Sequence, residues 1–146
     1  MTFLVASFVF VLDRVTKIAA AGNLSYGQSI KILPNIFHFT FVLNNGTAFG
    51  LLRGQNAALA LLSILAITLI IFYLLKHKDL SLVVSLALGL ILGGALGNLF
   101  DRVRFGYVID FLDFRVWPVF NIADSAITIG AVILAWNILR RSCIRY

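Results

Sequence analysis

Residues 80–100 read LSLVVSLALGLILGGALGNLF, a run without a single charged side chain. A transmembrane helix needs about 20 predominantly apolar residues, so this stretch predicts a membrane span. Three further runs have a similar length and apolar character, although two of them are interrupted by charged residues. The four predicted spans are residues 2–21, 57–75, 80–100 and 119–139. The sequence therefore predicts an all-α membrane protein whose single domain covers residues 1–146.

The composition indicates a membrane protein, and it bears on the partners and the disulfide bonds that the chain can have. Hydrophobic residues make up 61% of the chain and the mean hydropathy is +1.00, whereas soluble domains are about 45–50% apolar. The net charge of +6 comes from 12 Lys and Arg against 6 acidic residues, all of them Asp. We interpret this charge as attraction to anionic membrane lipid, with no nucleic acid implied. Cys143 is the only cysteine, so no internal disulfide can form.

Two segments outside the predicted spans have structure of their own. In the loop 22–56, residues 28–33 and 36–43 flank a Pro-Asn turn, and alternating Phe residues indicate a small sheet with an aromatic face. Open sheet edges are excluded from hydrocarbon, so this loop must lie at or above the membrane interface. Residues 51–56 are predicted to form a short interfacial helix. Residues 101–118 are interpreted as a loop whose aromatic residues lie at headgroup level.

Charged residues inside the first span suggest an internal ion pair. Asp13 and Lys17 are four residues apart and share a helix face, with the acid before the base. A structural pair that lets the helix tolerate its charges is the simplest interpretation. Near the end of the third span, Asn98, Asp101 and Arg102 follow a glycine-rich stretch that allows close helix packing. This second group is either a structural cluster or the support of a functional site.

Asp110 and Asp124 are the strongest candidates for chemistry. A carboxylate in or near a membrane is expensive to keep and usually marks function. Two that converge would share a proton and could activate water. The alternative for Asp124 is a buried structural carboxylate. The chain has few ligand residues for a zinc or other metal site, because it contains one Cys, two His and no Glu.

Five motifs give the chain a resemblance to a known family. They are, in order, DRVTK at 13–17, NNGTAF at 44–49, GNLFDR at 97–102, VIDF at 108–111 and FNIAD at 120–124. In this order and on four predicted spans, they resemble lipoprotein signal peptidase (signal peptidase II), a bacterial membrane aspartic endopeptidase. The resemblance covers nearly the whole chain.

The resemblance implies a site, a substrate and a location. Asp110 and Asp124 would be the catalytic pair, with no metal and no cofactor. The positions matching the family's supporting residues are Asp13, Lys17, Asn44, Gly97, Asn98, Arg102, Asn121 and Ala123. The substrate would be a diacylglyceryl-modified prolipoprotein, cleaved before its lipidated Cys, and globomycin would inhibit. The loop 22–56 would supply an extracytoplasmic sheet, or cradle, and the short helix.

The distribution of charged residues bears on both the topology and the function. Basic residues are denser on the side that holds both termini, which favours cytoplasmic termini and an extracytoplasmic active site in the bacterial inner membrane. We expect a monomer. The alternative function is a small proton-coupled transporter or channel component, since intramembrane Asp residues also serve proton relays. That function would distribute acids through the membrane depth, whereas here four of the six Asp residues cluster toward one face.

Overall fold

The computed structural model describes residues 1–46 and 55–143, with the backbone alone for 141–143. The chain is mostly helical and has one small antiparallel sheet, as predicted. In chain order the elements are α1 (Thr2–Asn23), β1 (Ser29–Leu33), β2 (Phe37–Asn44), α2 (Asn56–Lys76), α3 (Leu82–Phe105), β3 (Val108–Asp113) and α4 (Ile122–Cys143).

Three of these helices are long and apolar enough to cross a membrane. They are Asn56–Lys76, Leu82–Phe105 and Ile122–Arg140, with mean hydropathies of 2.8, 2.1 and 1.8. Helix α1 is not among them, since it contains three charged side chains in its second half. The fourth predicted span, 119–139, begins too early. Residues 119–121 precede α4, and Phe120 forms a β-bridge with Leu112 instead.

Helix α3 is the centre of the bundle and packs against the three other helices. Its glycines permit this, because a Cβ on Gly93 would lie 2.5 Å from the Ala6 carbonyl oxygen of α1. A Cβ on Gly94 would overlap the Ala123 carbonyl oxygen of α4. Small residues at these positions let helix backbones approach closely, as the glycine-rich sequence predicts. Helix α2 packs mainly on α3 and leaves most of its apolar surface free for lipid.

The prediction that residues 101–118 form a loop is wrong. Helix α3 continues to Phe105 and ends at Gly106, whose φ of 81° is a left-handed conformation that glycine adopts readily. Strand β3 then covers Val108–Asp113, and five of its six residues are buried. Apolar and polar residues do not alternate along a strand that is covered on both sides, so the pattern gave no strand signal.

The sheet has the order β1-β2-β3, with both pairs antiparallel. The predicted turn between β1 and β2 is present, and Asn35 in it has a φ of 61°. The pairing of β2 with β3 is irregular between Phe39 and Val42. Phe41 is buried in a cluster with Leu24 and Ile109, so the alternating Phe residues do not form one open face.

The predicted short interfacial helix at 51–56 lies almost entirely outside the described residues. Its last residue, Asn56, is described and is the first residue of α2. Thr47, Ala48 and Phe49 of the NNGTAF motif are also outside the described part of the chain.

Candidate active site

The two candidate carboxylates come from different kinds of element. Asp110 lies in the middle of β3 with 1% of its surface exposed, and Asp124 lies in the first turn of α4. Both interact with the side chain of Asn121, which immediately precedes α4. The structure therefore brings a strand carboxylate and a helix carboxylate to one place, although 13 residues separate them in the chain.

Asn121 and Asp124 cap the beginning of α4 reciprocally. The Asn121 Oδ1 atom accepts a hydrogen bond from the Asp124 backbone N–H at 2.9 Å, and Asp124 Oδ2 accepts from the Asn121 N–H at 3.4 Å. This is the geometry of a capping box, with Asp at the position usually taken by Glu or Gln. The cap orients the Asp124 side chain and places its carboxylate at the positive end of the helix dipole.

The cap also orients the Asn121 amide toward Asp110. Because Oδ1 faces the Asp124 N–H, the Nδ2 group points the other way and donates to Asp110 Oδ1 at 2.6 Å. The same Nδ2 group lies 3.2 Å from Asn98 Oδ1 and 3.3 Å from the Ile109 carbonyl oxygen. One side chain therefore sets the positions of both carboxylates.

Two more amides complete the polar shell of the carboxylates. Asn98 on α3 donates through Nδ2 to Asp124 Oδ1 at 2.7 Å. Asn44, at the end of β2, donates through Nδ2 to Asp110 Oδ2 at 2.8 Å. Its own Oδ1 accepts from the Gly46 backbone N–H at 2.9 Å, which fixes the amide orientation. The hydrogen bonds described here to the two carboxylates come from neutral amides, and no cation within residues 1–46 and 55–140 forms an ion pair with either carboxylate.

The environment of Asp110 favours its protonated form. Burial and then the nearby negative charge of Asp124 raise the pKa of Asp110 from 3.8 to about 7. The hydrogen bonds from Asn44 and Asn121 and the charge of Lys17 oppose this increase without cancelling it. Two close carboxylates in such a site hold one proton between them near neutral pH.

Asp13 of α1 stabilises the start of α4 from another helix. Its Oδ1 atom accepts from the Ala123 backbone N–H at 3.1 Å, one of the N–H groups that a helix start leaves unpaired. Gly97 makes room for this contact, since a Cβ there would lie 2.5 Å from Asp13 Oδ2. The sequence placed Asp13, Gly97 and Ala123 in three separate motifs, and the structure joins them in one contact.

A second layer of charges lies beneath the amides. Lys17 Nζ is 2.9 Å from Asp13 Oδ2 and 2.9 Å from Asp101 Oδ2, and it donates to Asn98 Oδ1 at 3.0 Å. The predicted Asp13–Lys17 ion pair is therefore present, within a larger group. Arg14 adds a fourth charge, with contacts of 2.6 Å to Asp101 Oδ1 and 3.2 Å to Asp13 Oδ2. Two acids and two bases make this group neutral.

Arg102 interacts with the two candidate carboxylates and does not form the ion pair of the neighbouring Asp101. In the described part of the chain, Asp101 pairs with Arg14 and Lys17 rather than with Arg102. The Arg102 charge interacts with Asp124, Asp110 and Asp101, and its buried Nε has no hydrogen-bond partner among the described residues. Its backbone oxygen accepts from Asn56 Nδ2 at 3.1 Å, which joins α3 to the start of α2.

Sequence reasoning overlooked Arg14, and it left Asp101 in a group that was either a structural cluster or the support of a site. A charge balance would have pointed to both. The first helix contains one acid and two bases, so burying it leaves one positive charge that needs an acid from another element. Residues 1–46 and 55–143 contain no group of three His, Cys, Asp or Glu side chains that could hold a metal ion.

An apolar groove opens beside Asp124. Its volume is about 690 Å³, and it lies between α4 and the segment that precedes it. Aromatic and aliphatic side chains dominate its walls. The lining residues are Phe114, Val116, Trp117, Phe120, Asp124, Ser125, Ile127, Thr128 and Ile129. A carboxylate at the edge of an apolar groove is an arrangement suited to a ligand with both polar and apolar parts.

Comparison with known proteins places this site in context. Residues 5–140 match the sequence profile of the family described as Signal peptidase (SPase) II. The chain is 45% identical to the lipoprotein signal peptidase of Halothermothrix orenii over 134 residues, which is 92% of each chain. It is 48% identical to that of Burkholderia thailandensis over 145 residues, covering 94% of this chain and 86% of the relative.

A solved structure has the same fold. It is described as a bacterial membrane enzyme determined by the in meso method at 2.3 Å resolution. The TM-score is 0.93 at 33% sequence identity, and the match covers 99% of this chain and 91% of the other.

Proposed function

Because the chain belongs to the signal peptidase II family, we propose that Asp110 and Asp124 are its catalytic pair. The enzyme is an aspartic peptidase that removes the signal peptide from prolipoproteins. The transporter alternative is not favoured by these relatives. The observation that supports the pair is the shared Asn121 amide, which holds Asp110 and Asp124 in one buried polar shell.

The pair acts as one acid and one base. Burial raises the pKa of Asp110 to about 7, so we assign the shared proton to Asp110. Asp124 lies at the positive end of the α4 dipole, which favours its ionised form. Asp124 takes a proton from the attacking water while Asp110 donates one to the carbonyl oxygen of the scissile bond. As the tetrahedral intermediate collapses and the C–N bond breaks, one hydroxyl proton of the intermediate returns to Asp110 and the new amine takes the proton held by Asp124.

The supporting residues have separate roles in this mechanism. Asn44, Asn98 and Asn121 hold the carboxylates with neutral amide donors, so the pair keeps its single shared proton. Asp13, Gly97 and Ala123 fix the start of α4, and through it Asp124. Lys17, in the layer of charges beneath the amides, donates a hydrogen bond to Asn98 Oδ1 and so fixes the Asn98 amide. Arg102, whose charge interacts with both carboxylates, offers a positive charge to the substrate's polar groups.

The apolar groove beside Asp124 fits the lipid of the substrate. We assign the diacylglyceryl chains of the lipidated Cys to this groove, with the peptide lying across the two carboxylates and cleavage just before that Cys. An apolar groove can hold these acyl chains without exposing them to water, so it fits lipidated rather than unmodified precursors. Globomycin would compete for the same site.

All four helices cross the bacterial inner membrane in this proposal. The charges of α1 do not argue against its crossing, because they form a neutral buried group with Asp101. Charges that are paired inside a helix bundle are tolerated in a membrane. The active site then lies toward the extracytoplasmic face, where the sheet is. The proposed active form is a monomer.

The function is tested by incubating purified protein with a diacylglyceryl-modified prolipoprotein and following the loss of its signal peptide by gel shift. Wild-type protein should cleave it before the lipidated Cys, and Asp124→Asn should not. Asp113→Asn is the matched control, because Asp113 is on the same strand as Asp110 but contacts Thr40 and Arg115 instead. Cleavage by Asp124→Asn at the wild-type rate would refute the catalytic pair. The absence of cleavage by wild-type protein would refute the function.

A further inference from the structure

Residue 109 is held on both of its backbone polar groups by side chains from other elements. The Ile109 N–H donates to Asp101 Oδ2 of α3 at 3.3 Å, and its carbonyl oxygen accepts from Asn121 Nδ2 at 3.3 Å. Strand β2 pairs with the other edge of β3 in this region. The residue just before Asp110 is therefore clamped between α3 and the start of α4.

Asp101 is itself held in place by two cations. Arg14 approaches Asp101 Oδ1 at 2.6 Å and Lys17 approaches Oδ2 at 2.9 Å. Asp101 is fully buried, with 0% of its surface exposed, so this carboxylate has no water to replace its partners. The Arg14 contact is an ion pair rather than a well-aligned hydrogen bond, since it leaves Oδ1 without a hydrogen-bond donor. The Arg14–Asp101 pair is thus a neutral unit attached to the backbone beside Asp110.

We propose that Asp101, anchored by Arg14, is a positioning residue for the cleavage reaction. It sets where β3 presents the Asp110 carboxylate relative to Asp124, and it balances the cationic charge beneath the pair. The inference rests on the proposed function, because it concerns the same two carboxylates. Asp101 contacts the backbone of β3, whereas the amides described above donate hydrogen bonds to the carboxylates themselves.

The charges that surround Asp110 make the second role measurable. Asp124 faces it from α4, Lys17 from α1 and Arg102 from α3, whereas β2 contributes the neutral Asn44. Asp13, Arg14 and Asp101 lie in the layer behind them. Removing Asp101 leaves an excess positive charge near Asp110, and removing Arg14 leaves an excess negative charge. The two changes therefore act on Asp110 in opposite directions.

The test compares Asp101→Asn, Arg14→Gln and the double variant with wild-type protein on a lipidated prolipoprotein. We expect Asp101→Asn to lower kcat about 10- to 100-fold with KM within about twofold, because the amide is a weaker anchor for the strand. The basic limb of its pH profile, which is the loss of activity at high pH as Asp110 loses its proton, should move to lower pH. Arg14→Gln should move that limb to higher pH with a smaller loss of kcat. The double variant should return the limb to the wild-type position while kcat stays low.

Rates are normalised to folded protein measured by thermal melting, and Asp113→Asn serves as the control that leaves kcat and the pH limb unchanged. A merely structural role would lower the melting temperature without opposite shifts of the limb. Wild-type kcat and pH profiles in folded Asp101→Asn and Arg14→Gln would overturn the proposal. If Asp101→Asn does not fold, an unshifted limb in Arg14→Gln overturns it alone. Failure of the proposed function is distinct, because wild-type protein itself would then not cleave.

Discussion

Two groups of buried carboxylates lie one layer apart and have opposite environments. Asp13 and Asp101 each contact Arg14 and Lys17. Asp110 and Asp124 receive their described hydrogen bonds from amides and backbone N–H groups. A carboxylate beside cations keeps its charge and ties elements together, whereas one among amides can exchange its proton.

Charge compensation therefore separates support from chemistry at this end of the bundle. The lower layer, formed by Asp13, Arg14, Lys17 and Asp101, is neutral overall, so it is suited to hold helices together. In the proposed mechanism the upper layer, formed by Asp110, Asp124 and their amide partners, shares one proton, which is what hydrolysis needs. The difference predicts that substitutions in the upper layer act mainly on activity. Substitutions in the lower layer lower stability, and they reach activity only where they change the position or the pKa of Asp110, as proposed for Asp101.

The largest expected effect is on turnover in the upper layer. Asp110→Asn should lower kcat about 1,000-fold or more, because Asn keeps the shape but cannot transfer the proton. The melting temperature of Asp110→Asn relative to that of the wild-type protein should rise as pH increases from 4 to 7. The pKa of Asp110 is raised to about 7 in the folded protein, so the folded state binds the proton more tightly and the wild-type loses stability over that range.

Two measurements check this expectation, namely the cleavage rate and thermal melting at several pH values. A stability difference between Asp110→Asn and wild type that stays constant from pH 4 to pH 8 would contradict the raised pKa of Asp110. A fall in melting temperature as large as that of a lower-layer variant would erase the distinction between the layers.

The second effect is on stability in the lower layer. Lys17→Ala leaves Asp13 with one cation fewer and removes a donor from Asn98. Removing one partner of a buried ion pair costs about 3–5 kcal/mol, so the variant should melt well below wild type in detergent. Turnover per folded molecule should change less. Lys31→Ala, in an exposed position on β1, is the matched control and should have the same melting temperature as the wild type.

Loss of activity with an unchanged melting temperature in Lys17→Ala would move Lys17 from the supporting layer into the reaction. Lys17 would then have to be counted with the residues that act in the reaction and not only with the supporting layer.

The smallest effect concerns a single amide of the upper layer. Asn44→Ala removes the hydrogen bond to Asp110 Oδ2, which lowers the pKa of Asp110 in the wild-type protein. The basic limb of the pH profile should therefore move to higher pH. We expect kcat/KM to fall by at most about 10-fold, since a hydrogen bond to a neutral group contributes about 0.5–1.5 kcal/mol.

Asn23→Ala is the matched control, because Asn23 Nδ2 donates only to the Ala19 backbone oxygen among the contacts described, at the end of α1. Its rate and pH profile should equal those of the wild type. An unshifted limb in Asn44→Ala, with unchanged globomycin binding, would make Asn44 a turn residue alone.

The sequence was enough to locate the carboxylates but not their partners. Asp110 and Asp124 were chosen because an acid near a membrane is costly, and that cost is a property of the residue type. The orientation of the Asn121 amide is set by the capping contact, in which Oδ1 accepts from the Asp124 N–H and Nδ2 therefore faces Asp110. The spacing of these residues in the sequence does not reveal that orientation. The strand around Asp110 was missed because its neighbours cover it on both sides, which removes the alternation that indicates a strand.

The apolar runs, the glycine-rich third helix and the Asp13–Lys17 spacing follow from the chain alone, since hydropathy and helical periodicity are local properties. Only the tertiary structure decided that Asp101 serves Arg14 and Lys17 instead of Arg102, and that Asp13 caps a helix 110 residues away. Those choices depend on the packing of α1 against α3 and α4. A buried charge must find its partner in space, and the distance along the sequence does not determine which partner it meets.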